Sequence, residues 1–347
     1  DWFDSWKWIN LLEVNFVGGF ISKVLKKMIP YTSAGLPEFR RSRWINKAYG
    51  KALSITKKNK IDVIYSSFTP PASIRVAYKL NKETNIPWVN EYRDLWTGNP
   101  YVKRNLLSEI YNSYIERKLI KNTAALVTVS PPLQAELIKL HNKNTYVVYN
   151  GFDDIDSKSS ITNGKEFVIS YTGSLYKGVR DPEMLFKAIT LLRKNNYEFL
   201  NLIKIKFYGP GVPKILKPLI LKYKLDNFVN TSESVSHEEV IAIQKNSNVL
   251  LLLGKNTPSD AGIVTGKFFE YIGRRKNILA ITYPYGSVAD ILKETGLGQV
   301  LVSEDSIAEY LKEKINYFIK RDLHLGDKFN ETAIETYRRK NQALKLS

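Results

Sequence analysis

The chain has 347 residues, enough for about two domains that each bury a core. Hydrophobic residues make up 44% and charged residues 25%, globular values that exclude wholesale disorder and fibrous designs. Cysteine is absent, which excludes disulfides, thiolate catalysis and Cys-ligated metals, while a formal charge of +18 biases the surface toward nucleotide phosphates, nucleic acid or anionic lipid.

The first thirty residues mix Trp2, Phe3, Trp6 and Trp8 with Lys23, Lys26 and Lys27. They read as a loop-rich segment laying its aromatics on the first domain, or as a surface helix seated in a lipid interface. No apolar run reaches the ~18–20 residues of a membrane helix, and the opening residues are not a secretory signal. From there the pattern alternates: strand over 61–65, helix over 72–82, strand over 87–90, a long basic helix over 105–121, strand over 125–129, helix over 133–141 and strand over 145–149. Alternation of this kind predicts a parallel, doubly wound sheet.

A polar stretch over 150–164 breaks the pattern. A second series follows, with strands over 167–172, 203–208, 249–253 and 278–281. Its helices are expected over 181–193, from the capping box Ser236 to Glu239, around 268–272 and near 288–294. The last twenty residues read as one amphipathic basic helix able to pack on either domain, including back on the first. The expected organisation is α/β, two tandem doubly wound Rossmann-like domains, over 1–153 and 165–326, joined by a linker over 154–164 and closed by the helix over 327–347.

In such sheets ligands bind beyond the C-terminal ends of strands, where loops enter helix N-termini that favour anions. After the strand ending at 172 comes Gly173-Ser174-Leu175-Tyr176-Lys177-Gly178-Val179-Arg180, followed by Asp181-Pro182 at a helix start. Glycines that admit close backbone approach, two cations and a positive helix end suit a diphosphate; a solvated basic turn is the plainer alternative. Gly209-Pro210-Gly211 by itself reads as an ordinary turn. The loop Ile263-Val264-Thr265 opens a short helix on which Lys267 and Glu270 share a face. There a carboxylate can accept both hydroxyls of a ribose while Lys267 meets phosphate, and a surface ion pair is the plainer alternative.

Together these segments resemble the family-4 retaining glycosyltransferases of the two-domain GT-B type, particularly bacterial enzymes that build surface polysaccharides. The resemblance covers nearly the whole chain. Residues 62–71 and 87–96, the latter with Glu91, Arg93 and Asp94, resemble that family's acceptor-domain strands and loops. Residues 129–130 and 148–153 resemble the approach to its linker, 171–178 its donor-domain phosphate loop, and 266–271 the segment holding its ribose-binding glutamate, the most specific of these elements.

The resemblance implies a nucleotide-sugar donor as substrate, with no cofactor; no metal is expected, because no rigid Asp-x-Asp is present and cationic groups are available for the diphosphate. It places Lys177 and Arg180 on the donor diphosphate and Glu270 on the ribose. Further donor contacts fall to Gly173, Ser174, Gly209, Ile263, Val264, Thr265 and Lys267. Asp94 and Glu91 are candidates to orient the acceptor, with a salt bridge to Arg93 as an equal alternative. A lipid-linked glycan acceptor is also implied; with it, the aromatic and lysine segment over 2–28 and the formal charge of +18 lead to the expectation of an anionic membrane surface and a cytoplasmic location, peripheral on the inner face of the plasma membrane.

Three departures stand out. Ser174 occupies a position where the family often has Arg, and Gly262 stands where its first paired carboxylate is expected, with Asp260 nearby. No strand and glycine loop of the family's opening kind is recognisable before Asp1-Trp2, so the first domain is expected to lack its start and the chain to turn over poorly. Competing readings are a sugar-nucleotide epimerase on the same fold, a metal-dependent transferase using Asp154-Ile155-Asp156, and a basic nucleic-acid-binding protein. Scattered cations, three histidines and an Asp pair inside a polar linker favour none of them.

Overall fold

The computed structural model describes residues 36–153, 164–320 and 329–346. The aromatic and lysine segment over 2–28, the Asp154-Ile155-Asp156 spacing and most of the expected linker lie outside the described residues. The chain divides into two units, one up to Thr128 together with Leu133–Val147, the other Val129–Pro132 and everything from Val148.

The first unit runs α1 (Leu36–Thr56), β1 (Ile64–Phe68), α2 (Ala72–Thr84), β2 (Trp88–Tyr92), α3 (Leu106–Ile120), β3 (Ala125–Thr128), α4 (Pro131–His141) and β4 (Thr145–Val147). Its strands pair in parallel in the order β1-β2-β3-β4. Phe68, Ile74, Trp88, Tyr92, Trp96 and Leu126 fill its core. Trp88 donates its indole N–H to Ser66 Oγ at 2.7 Å, and Ser66 in turn donates to Asn90 Oδ1 at 2.6 Å, so the buried indole is satisfied inside the sheet.

The second unit runs β5 (Phe167–Thr172), α5 (Glu183–Lys194), β6 (Ile203–Tyr208), α6 (Val212–Tyr223), β7 (Val229–Ser232), α7 (His237–Lys245), β8 (Val249–Leu253), α8 (Gly266–Arg274), β9 (Asn277–Ile281), α9 (Ser287–Thr295), β10 (Gly298–Val300) and α10 (Glu304–Lys320). Two short helices, α11 (Glu331–Thr336) and α12 (Arg339–Ala343), follow. The six strands are parallel in the order β10-β9-β8-β5-β6-β7. Strand order therefore reverses between β5 and β8, and the crevice at such a switch point is where ligands bind.

Alternation along β8 shows why both faces must be covered. Leu251 and Leu253 face the core built by β5, β6, α5, α6 and α10, whereas Leu250 and Leu252 face the one built by α8 and α9. The capping box at Ser236 is formed, with Ser236 Oγ accepting from the Glu239 N–H and the Glu239 carboxylate accepting from the Ser236 N–H.

Two sequence expectations change. The segment after Gly209 is a helix, because Gly211 takes φ +68° and Pro213 sits in the first turn, where its missing N–H costs nothing. The C-terminal region is two short helices, where one continuous helix is expected. The break falls where Phe152 pairs with this segment: Phe152 N donates to Tyr337 O and Arg339 N to Phe152 O. Those two backbone groups cannot also serve a continuous helix.

Candidate functional site

The switch point is built from glycines. Thr172 ends β5 and Gly173 follows with φ +141°, a conformation only glycine adopts without strain. A Cβ at Gly209, just past β6, would lie 2.7 Å from the Gly173 carbonyl carbon. The two strand ends thus meet backbone to backbone, with the Gly173 N–H donating to Tyr208 O at 2.7 Å.

Across Gly173 lies Lys267 from the first turn of α8. A Cβ on Gly173 would sit 2.8 Å from Lys267 Cε and collide with the ammonium. The Lys267 Nζ rests 4.1 Å from the centroid of the Tyr171 ring, a cation–π contact, so it does not spend its charge on Glu270 as a surface ion pair would. Burial, then the charge of Arg180, pulls Lys267 down to about 7, against the opposing pull of Glu270. Tyr171 donates its hydroxyl to the Ser174 carbonyl at 2.7 Å. Its phenol is pushed up to about 12 by burial, with Arg180 opposing.

Arg180 folds back over the Tyr176 ring at 5.3 Å, and the loop is closed by the Val179 and Arg180 N–H groups donating to Tyr176 O. Leu175 anchors the loop in the core, while Lys177 stands exposed at its tip beside Gly178, whose φ is +72°.

Helix α8 starts after Thr265, which is extended (φ −77°, ψ 154°) and makes no side-chain cap. Its first N–H groups are therefore left without the usual side-chain acceptor, a local arrangement that favours anions. Upstream, Val264 is buried and Ile263 half-buried. Asp260 is buried and accepts from the Thr257 and Ser259 hydroxyls at 3.3 Å each. Its carboxylate thus holds its own turn. Glu270, half-buried one turn into α8, shares a helix face with Lys267 and Arg274.

Beneath lies a network that sequence reasoning missed. Arg274 Nε donates to Gln244 Oε1 at 3.0 Å, Gln244 Nε2 donates to Thr172 Oγ1 at 3.2 Å, and Thr172 Oγ1 lies 3.3 Å from the Tyr271 hydroxyl. The network ties the end of β5 to the helix that carries Lys267 and Glu270. Burial raises the Tyr271 hydroxyl beyond its usual range and lowers Arg274, the latter against the favourable charge of Glu270. Tyr271 could have been noticed beside Glu270; nothing in the sequence marks Gln244, which reaches the site from α7.

The structure thus brings together Gly173, Ser174, Arg180, Gly209, Lys267 and Glu270, with Ile263, Val264 and Thr265 on the loop that enters α8. Lys177 is on the same loop as Arg180 but points to solvent. Among the described residues no three His, Asp or Glu side chains are grouped to hold a metal ion.

Asp94 belongs to the first unit, on the loop after β2. It is exposed, yet the surrounding protein raises its carboxyl, against the pull of Arg93. That loop is held from below by Glu116 of α3, which is 1% exposed. Its carboxylate accepts from the Tyr92 hydroxyl at 2.8 Å and the Thr97 N–H at 3.0 Å, and also from the Thr97 hydroxyl. His141 Nε2 lies 3.2 Å from the same carboxylate, and Trp96 donates its indole N–H to Asn112 Oδ1 at 3.1 Å.

Residues 20–155 match the family model described as Glycosyltransferase Family 4, and no match was found among curated proteins. Among solved structures the chain is similar to HepE from Anabaena in complex with UDP, at TM-score 0.65 and 14% identity over 94% of this chain and 88% of that one. It is similar as well to a glycosyltransferase from Rickettsia africae, at TM-score 0.63 and 14% identity over 87% and 79% of the two chains. A third likeness is to a sucrose-phosphate synthase from Thermosynechococcus elongatus, at TM-score 0.57 and 14% identity over 91% and 80%. The family model thus covers residues 20–155, and the likeness to the solved structures over most of the chain is one of fold.

Proposed function

We propose that this chain, whose residues 20–155 carry the Glycosyltransferase Family 4 pattern, moves a sugar from a nucleoside diphosphate to an acceptor hydroxyl with retention of anomeric configuration. The observation that carries this reading is the switch point itself: Lys267 held over Tyr171 across a bare Gly173, with Glu270 one turn further along α8. A diphosphate laid across Gly173 and Gly209 meets backbone instead of side chains, faces Lys267 and Arg180, and caps the open start of α8. Glu270 then accepts the ribose hydroxyls. The UDP bound by HepE makes UDP the first nucleotide to try.

In the transfer the bond from the anomeric carbon to the diphosphate oxygen breaks, the acceptor oxygen takes its place on the same face, and the acceptor's hydroxyl proton passes to the departing diphosphate. Negative charge builds on the departing diphosphate, and preorganised cations and N–H groups aimed at that charge lower the barrier. Lys267 and Arg180 are placed for this, and Lys177 joins them if its loop closes over the donor. Asp94 orients the acceptor, for which a lipid-linked glycan of a bacterial surface polysaccharide is proposed, at the cytoplasmic face of an anionic membrane.

Glu270→Gln is the direct test. It removes the charge and leaves the shape, so the fold should persist while UDP affinity falls about tenfold, the usual worth of one charge-assisted hydrogen bond. Isothermal titration of UDP into both proteins reads this, and equal affinities would take Glu270 out of the site.

A further inference from the structure

Two arginines stand side by side at the end of α8 and are held differently. Arg275 turns outward, with its Nε 2.8 Å from a Glu331 carboxylate oxygen and its Nη2 2.7 Å from one of Glu335. Arg274 turns inward and is 8% exposed. Its Nε donates to Gln244 Oε1 at 3.0 Å, and its Nη1 is buried with no hydrogen-bond partner among the described residues. A buried cation is ordinarily paired with a carboxylate, because desolvation costs more than one neutral hydrogen bond returns. One that is not so paired calls for a reason.

The rest of the network is closed. Arginine only donates, so the Gln244 oxygen must face Arg274 and its amide nitrogen must face Thr172 Oγ1, at 3.2 Å. The Tyr271 hydroxyl accepts from the Thr172 N–H at 3.4 Å. None of these bonds engages Nη1. The carboxylate suited to it is Glu270, one turn back on the same face of α8, with the acid N-terminal to the base at a four-residue step, the favourable order. Glu270 stands between two cations, and neither is spent on it: Lys267 lies against the Tyr171 ring and Arg274 against Gln244. Its negative charge is nonetheless what opposes the lowering of Arg274 by burial.

We infer that Arg274 is a positioning residue for Glu270: with a nucleotide bound, Arg274 Nη1 donates to one oxygen of the Glu270 carboxylate and leaves the other to accept from the ribose. The inference rests on the reading of Glu270 as the ribose acceptor and deepens it. A glutamate side chain on a helix surface must be ordered before it can hold a hydroxyl, and that ordering costs entropy. A guanidinium fixed at Nε by Gln244 and open at Nη1 supplies the order from beneath, through a charge-assisted bond that strengthens as the nucleotide excludes water. What this confers is selection for a nucleotide that carries its ribose hydroxyls, since a held carboxylate makes those hydroxyls count in full.

The test is isothermal titration of UDP and of 2′,3′-dideoxy-UDP into the full chain and its variants. The parent chain is expected to prefer UDP by about tenfold, the worth of one charge-assisted hydrogen bond. Arg274→Met and Arg274→Gln should each bind UDP about tenfold more weakly, bind the dideoxy nucleotide as the parent does, and so lose the preference. Arg274→Gln retains a donor for Gln244 Oε1 while removing the charge, so it reads the effect with the network in place, including where Arg274→Met fails to fold. Added to Glu270→Gln, either change should cost nothing more, because it acts through that carboxylate. Equal weakening of both nucleotides shows a structural role only and overturns the inference, and losses that add in the double variant overturn it as well. Loss of the preference in Glu270→Gln but not in Arg274→Gln overturns this inference and leaves the reading of Glu270 intact. A parent chain without the preference overturns both.

Discussion

Lys267 is a cation stored against an aromatic ring, and its burial has a consequence for pH. An amine lowered to about 7 in the folded chain, against about 10.5 when exposed, is half-neutral in the free protein near neutrality. A diphosphate requires the ammonium form, so the bound state raises that value again. Above pH 7 binding must therefore take up a proton, and affinity should fall as pH rises from 7 toward the value of the bound form. Titration of UDP at pH 8 in two buffers of different ionisation enthalpy should reveal uptake approaching one proton. Lys267→Met should abolish the difference between buffers, and uptake that survives this change would put the proton elsewhere. For folding the sign is separate: between pH 7 and 10.5 the unfolded chain holds the extra proton, so this residue makes the fold more stable as pH rises through that window.

At the scale of elements, α3 shows how one buried carboxylate organises a neighbouring loop. Its inward carboxylate, Glu116, satisfies the hydroxyls of Tyr92 and Thr97 and the Thr97 N–H, and burial beside that carboxylate raises the Tyr92 phenol well above its usual range. Glu116→Ala would strand several buried donors at once, at a cost of about 2–4 kcal/mol. Urea unfolding followed by tryptophan fluorescence, with Trp88 and Trp96 both buried in this unit, measures it. A loss below about 1 kcal/mol would mean the network contributes little beyond shape. Elements of this kind were unevenly legible. Strands β5, β6 and β8 fall where their unbroken apolar or alternating runs put them, since strands buried on both faces leave a dense signal. Helix α6 was hidden because Gly209-Pro210-Gly211 reads as a turn, although Pro213 in the first turn is compatible with a helix. The split between α11 and α12 was invisible because Phe152, which causes it, lies far away in sequence.

For the whole molecule, the donor site as proposed neutralises a diphosphate with Lys267, Arg180 and the start of α8, without calling on a metal. Transfer from UDP-sugar should then persist in EDTA, measured as UDP released in the presence of acceptor; loss restored by Mn²⁺ would favour a metal-dependent reading. Among the described residues no helix is long and apolar enough to cross a membrane. By itself the sequence determined the α/β class, the parallel strands, the two glycine loops and the short helix bearing Lys267 and Glu270, because periodicity, turn residues and caps act over a few positions. Tertiary structure decided what those pieces do to one another. Strand order put the loops after β5 and β6 in backbone contact and brought Lys267 over Tyr171, and it drew Gln244 and Arg274 beneath them. It also turned α3 so that Glu116 faces the core while Leu106 and Leu107 face water. These outcomes depend on contacts between residues distant along the chain and on the burial those contacts create, neither of which local sequence encodes.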